Sequence, residues 1–116
     1  MKIEKHPSVR LILSTFASRR QAERMASGLM ARHLAACCNV IPALSSFFRW
    51  KGRTEKAREA LLMVKTTASC VPGTLAFLKQ HHPYELPELI VLSLEGGESA
   101  YLRWIRDSVG KESRSS

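Results

Sequence analysis

The segment LAACCNVIPALSSFFRWKGRTEKAREALLMVKTT, residues 34–67, decides the fold. From Leu34 to Trp50 it is apolar and rich in strand formers. Only Pro42 interrupts it; proline supplies no ladder donor, which predicts a bulge, a bend or an edge. Lys51-Gly52-Arg53 reads as a hairpin tip. The return strand runs from about Ala57 to Thr67, with Leu61, Met63 and Lys65 on one face and Leu62, Val64 and Thr66 on the other. Such a hairpin is long for a small domain. Uncovered strand edges invite aggregation, so a partner subunit is the expected cover.

Working outward, Val9 to Phe16 reads as a largely buried first strand. Ser18 and Gln21 fit a capping box, and Ala22, Met25, Ala26, Leu29, Met30 and His33 follow at helical spacing as one apolar stripe. His33 is expected to pack or cap at the helix end. Ser69 to Gln80 forms a second helix, with Pro72 accommodated in its first turn. Leu89 to Leu94 is a buried strand that Gly96-Gly97 breaks, and Ala100, Tyr101, Trp104, Ile105 and Val109 mark a terminal amphipathic helix. The order predicts an α+β class: a ferredoxin-like βαββαβ sandwich with a long hairpin between its second and third strands and a C-terminal helix. Residues 1–8 form an N-terminal extension, 9–109 a single domain and 110–116 a flexible tail.

Between the second helix and the last strand lies His81-His82-Pro83-Tyr84-Glu85-Leu86-Pro87-Glu88. The two prolines fix their own φ angles and push His82 and Leu86 out of the helical region. The predicted result is a stiff connector presenting imidazole, phenol and carboxylate groups. From these residue types alone, a plain helix-to-strand joint is the favoured reading.

Composition sets the classes to weigh. The 116 residues suit one packed core, and no run of about 18 apolar residues exists to span a bilayer. Met1 to Pro7 is charged with no apolar h-region after it, which predicts no signal peptide and a cytoplasmic protein. Cys37, Cys38 and Cys70 have no zinc-site or redox spacing, and Cys37 and Cys38 face opposite sides of a strand. The net charge of +8 concentrates at Arg49, Lys51, Arg53, Lys56 and Arg58, with Lys111 and Arg114 in the tail. No Lys/Arg-Gly-aromatic run supports an RNA reader, and alternation places Phe48 and Trp50 on one face and Phe47 on the other, so nucleic acid is not an expected partner. No phosphate-cradling glycine loop, Ser-x-x-Lys or acid/base dyad marks an enzyme.

The chain resembles the CutA family of divalent-ion tolerance proteins. The matching residues are Leu34-Ala35-Ala36-Cys37 with Asn39, Ile41-Pro42, Ser46, Trp50-x-Gly52, Lys65-Thr66-Thr67, His82-Pro83-Tyr84-Glu85, Pro87-Glu88-Leu89 and Tyr101-Leu102-x-Trp104. This resemblance implies a ferredoxin-like homotrimer related in architecture to PII signalling proteins, with long strands crossing subunit boundaries. It also implies a non-enzymatic role in tolerance of divalent metals, with Cu(II) or another divalent metal as ligand. The alternative is a PII-like small-molecule sensor or scaffold without metal. The implied metal ligands are His81 and Glu88, with Ser14 where the family places a cysteine. Trp50, Lys65, His82, Tyr84 and Cys37 are the implied cleft or interface residues. The missing thiolate tilts the donor set from Cu(I) toward Cu(II) or Zn(II). Lys56-Ala57-Arg58-Glu59 stands where relatives carry an acidic run, and added cations there are expected to repel divalent ions.

Overall fold

The computed structural model describes residues 1–5 and 7–110. Its elements are β1 (Ile3–Lys5), β2 (Val9–Phe16), α1 (Arg19–Ala31), β3 (Cys37–Trp50), β4 (Arg53–Thr67), a 3₁₀ turn (Ala68–Cys70), α2 (Val71–His81), β5 (Ile90–Ser93), β6 (Gly96–Glu98) and α3 (Ser99–Ser108). The main sheet is antiparallel in the order β3-β4-β2-β5, the ferredoxin-like arrangement. The expected tail beyond Gly110 lies outside the described residues.

Alternation along β2 and β4 sorts the sheet into two faces. Ile12, Phe16, Ala60, Leu62 and Val64 are fully buried against α1 and α2, where Ala22, Met25, Leu29 and Leu78 complete the core. On the other face, Val9 is buried beneath Leu102, Ile105 and Val109 at the α3 end. Beyond α3 that second face continues as Leu11, Leu13, Leu61 and Met63, flanked by Ile90 and Leu92 on β5 and Ile41 on β3, with no helix of the described residues over it. β5 was expected to be buried. It is instead an edge strand, and Ile90, Val91 and Leu92 are 38–45% exposed.

Local chemistry sets the joints. Ser18 accepts from the Gln21 amide at 3.2 Å, while the Gln21 side chain reaches back to the Ala17 amide, one residue before the cap. α1 ends in a Schellman arrangement: the His33 amide donates to Met30 O, the Leu34 amide to Leu29 O, and His33 sits at φ +56°. His33 is therefore a terminator, and Met30, placed by spacing on the core stripe, is 43% exposed. Buried Thr66 and Thr74 both donate to Leu34 O, tying the α1–β3 joint to β4 and α2.

The long hairpin forms as expected and longer, since β4 begins at Arg53. Lys51 and Gly52 both take positive φ, as a two-residue type I′ turn requires. The register slips between Ile41 and Leu44, so Pro42 and Ala43 form a bulge on an edge strand. β2 pairs β4 only from Ala60 onward, so residues 44–50 and 53–59 project as a two-stranded arm. Ile3–Lys5, inside the expected extension, pairs with β6, where a side chain on Gly96 would strike the Glu4 carbonyl at 2.3 Å. Arg106 clamps Glu4 through both nitrogens at 2.5 and 3.2 Å.

Candidate functional site

The two prolines do what their chemistry dictates. α2 stops at His81, and His82 takes extended angles of φ −71° and ψ 133°. Consecutive residues then diverge. His81 stays with α2, its ring 4.4 Å from Phe77, in a depression of about 450 Å³ lined also by Gln21, Arg24, Met25 and Pro83. His82 turns inward and stacks on Phe16 at 4.2 Å between ring centroids.

The His82 ring is fully committed. Its Nδ1 accepts the Tyr84 amide at 3.1 Å, so the proton resides on Nε2, within 3.0 Å of Thr15 O and 3.1 Å of Ser14 Oγ. Burial lowers its pKa, opposed by the Thr15 carbonyl and the charge of Glu59. Ser14 itself is fully buried beneath this ring. The chain thereby anchors Tyr84, whose hydroxyl donates to Glu59 Oε2 at 2.7 Å. Burial first, and then that bond and charge, push the phenol pKa well up, so Tyr84 is a hydrogen-bond donor and not a base.

Tyr84 and Glu59 form part of the wall of an open groove of about 1090 Å³ at the root of the arm. Its other walls include Phe48 and Trp50 from β3, Glu55 from β4, and Glu85 and Glu88 from the connector, with Phe47 and the single cation Lys56 also bordering it. Glu88 is half-buried, and burial followed by the nearby charge of Glu59 raises its pKa. Four carboxylates beside aromatic faces suit a positively charged ligand, because a cation relieves carboxylate repulsion and is attracted by ring quadrupoles.

The structure brings together Trp50, Tyr84 and Glu88 from the sequence-derived set. His82 supports them from below, and His81 faces the separate depression. Lys65 and Cys37 pair with one another across β3 and β4, six residues along β4 from Glu59, a distance of about 20 Å. There Lys65 Nζ meets the Tyr101 hydroxyl at 3.3 Å, and the Cys37 thiol meets Asn39 Oδ1 at 3.7 Å. Cys38 points the other way into the core, and burial lifts its thiol pKa to about 12. Sequence reasoning missed Glu59 and Glu55. The available signal was parity: both share the face of Leu61, opposite Lys56 and Arg58.

Among the described residues no three His, Cys, Asp or Glu side chains converge as a metal site. No helix there is long and apolar enough to cross a membrane.

Residues 10–108 match the family model described as CutA1 divalent ion tolerance protein. The chain is 38% identical over 100 residues to the divalent-cation tolerance protein CutA of Thermus thermophilus, covering 86% of this chain and 97% of that one. It is 39% identical over 99 residues to human Protein CutA, covering 85% of this chain but only 55% of the human protein. The chain thus spans little more than half the length of the vertebrate relatives it matches. A solved divalent cation tolerance protein from Thermus thermophilus superposes with a TM-score of 0.84 at 37% identity, covering 88% of this chain and 99% of that one. None of these names describes an enzymatic activity.

Proposed function

Because the chain belongs to the CutA1 divalent ion tolerance family, we propose that it serves the response to divalent metal ions as a non-enzymatic homotrimer of PII-like architecture, sensing a cationic ligand in the groove beside Tyr84. The observation that carries this reading is the uncovered apolar sheet face of Leu11, Leu13, Ile41, Leu61, Met63, Ile90 and Leu92. Exposed apolar patches of this kind mark association surfaces. Copies related by a three-fold axis would bury it in a closed ring and would cover the long hairpin edges. The three free cysteines suit a reducing cytoplasmic compartment.

Copper held by Ser14, His81 and Glu88 does not fit a single chain. Ser14 is sealed under His82, both His82 nitrogens are engaged, and His81 lines a different depression from Glu88. The donors that do face the groove are carboxylate oxygens, and Glu59 with Glu88 would carry its preference for cations. Sedimentation equilibrium tests the assembly: the expected mass is about three times the 13.0 kDa chain, with Met63→Glu shifting it toward monomer. A monomeric wild type at micromolar concentration refutes it. Calorimetry with Cu(II) and Zn(II) tests the ligand: Glu88→Gln weakens binding and His81→Ala leaves it unchanged. The reverse pattern refutes the groove assignment.

A further inference from the structure

The register divides the projecting arm into two chemically opposite faces. Leu44, Ser46, Phe48 and Trp50 share a side with Arg53, Glu55, Ala57 and Glu59, which is the groove side. Ser45, Phe47 and Arg49 share the other with Thr54, Lys56 and Arg58. This outward face therefore carries three cations, no acid and one aromatic ring. Phe47 is 68% exposed, with Lys56 Nζ 5.4 Å from its ring centre.

Further cations lie at the same end of the sheet. Arg58 has the parity of Ala60, which is buried on the helix-bearing face and pairs with Phe16 at the end of β2. α1 starts three residues after Phe16, so its first two turns begin at that same end and on that same side. They supply Arg19, Arg20 and Arg24. Glu23 is the one acid in these turns, and it pairs with Arg19 at 3.7 Å.

We propose that this surface, made of Phe47, Arg49, Lys56 and Arg58 with the start of α1, binds single-stranded nucleic acid. A row of cations tracks a phosphate backbone, and an exposed ring among them offers a face on which an unpaired base stacks. A duplex hides its bases from such a ring. An anionic membrane needs buried apolar area, and Phe47 is the only large apolar side chain on this face of the arm. By strand parity the surface faces away from Glu55 and Glu59, with Phe47 and Lys56 also bordering the rim of the groove, and it requires no ligand there.

Fluorescence anisotropy with a labelled oligothymidylate of about 20 nucleotides tests the proposal on the full chain. If all six cations neutralise phosphates, log affinity falls with log salt at a slope of about −4. Phe47→Ala weakens binding at least about five-fold, the low end of one base–aromatic stack. Lys56→Glu combined with Arg58→Glu weakens it further and flattens the salt slope, with circular dichroism and sedimented mass unchanged. Because Phe47 is exposed, its alanine variant keeps the test open if the charge-reversed protein fails to fold. Absence of a salt-sensitive signal at low salt overturns the proposal. So does equal or tighter binding to duplex, preferential binding to anionic vesicles, or wild-type affinity in Phe47→Ala.

Discussion

Acidification unlocks the connector through a single proton on His82. In the folded chain Nδ1 accepts the Tyr84 amide and Nε2 donates toward Thr15 O, with the ring stacked on Phe16. Protonation would turn Nδ1 into a donor facing the Tyr84 N–H, breaking the bond that positions Tyr84. Burial accordingly holds the folded-state pKa below the ordinary value of 6.5, against the smaller opposing pulls of Thr15 O and Glu59. Below pH 6.5 the unfolded chain takes up this proton first, so stability present above pH 6.5 drains away as pH falls through the folded-state pKa. One proton limits the slope to about 1.4 kcal/mol per pH unit. The comparison is urea unfolding of wild type and His82→Asn from pH 7.5 to 4.5 at one protein concentration. Asn retains an acceptor near Nδ1 but does not titrate, and contributions from all other groups cancel in the difference. The wild type loses stability relative to His82→Asn only below about pH 6.5, by no more than that slope. Parallel pH profiles for the two proteins refute the reasoning.

Glu88 carries the opposite sign. Its folded-state pKa is raised, so its ionised form opposes folding at neutral pH, and Glu88→Gln raises the melting temperature at pH 7 by an amount that vanishes as the wild-type carboxyl protonates on acidification. Thermal scans at pH 7 and pH 4 check this, and equal gains at both refute it. Tyr84→Phe removes the 2.7 Å bond to Glu59 and costs about 1.5 kcal/mol, the low end for a charged acceptor because the groove is open to solvent; denaturant unfolding measures it. Leu29→Ala, at a fully buried α1 position, costs roughly 2–5 kcal/mol, whereas Met30→Ala, one residue on, stays within about 0.5 kcal/mol. The same denaturation series reads both, and similar losses would invalidate the burial assignment of α1.

The fold was legible where local chemistry is strong. Pro42 marks the bulge, Lys51-Gly52 the turn, and Ser18 the start of α1, because each restricts the backbone or supplies a cap regardless of distant contacts. Met30 and β5 were misread because apolar character does not reveal whether another element lies above a residue. The pairing of β1 with β6 was invisible for a similar reason: three residues on each side gain strand character only from one another. Tyr84 and Glu88, offered by the connector, and Trp50, implied by the family resemblance, line one groove. Two adjacent histidines that point into different environments could not be separated by sequence, since the turn out of α2 decides which ring goes inward.

Register also reverses one electrostatic expectation. Read linearly, Lys56 and Arg58 stand beside Glu55 and Glu59 and should cancel their attraction for cations. In the strand, alternation directs Arg58 to the face opposite Glu59 and sends Lys56 toward the Phe47 ring. A cation in the groove meets the carboxylates at short range and Arg58 only across the sheet, while Lys56 borders the groove rim, turned toward the Phe47 ring and screened by solvent at the exposed arm. The arm can thus carry a surplus of positive charge while its groove side remains a place for positive ligands. Shifting the register by one residue would exchange the two faces and abolish both properties. The bulge at Pro42 and Ala43 sets the pairing of the distal arm, so a deletion there should move Phe47 toward the groove and Phe48 away from it. Cross-strand contacts in NMR spectra would read that exchange directly, and retention of the Phe47–Lys56 pairing after the deletion would show that the turn alone sets the register.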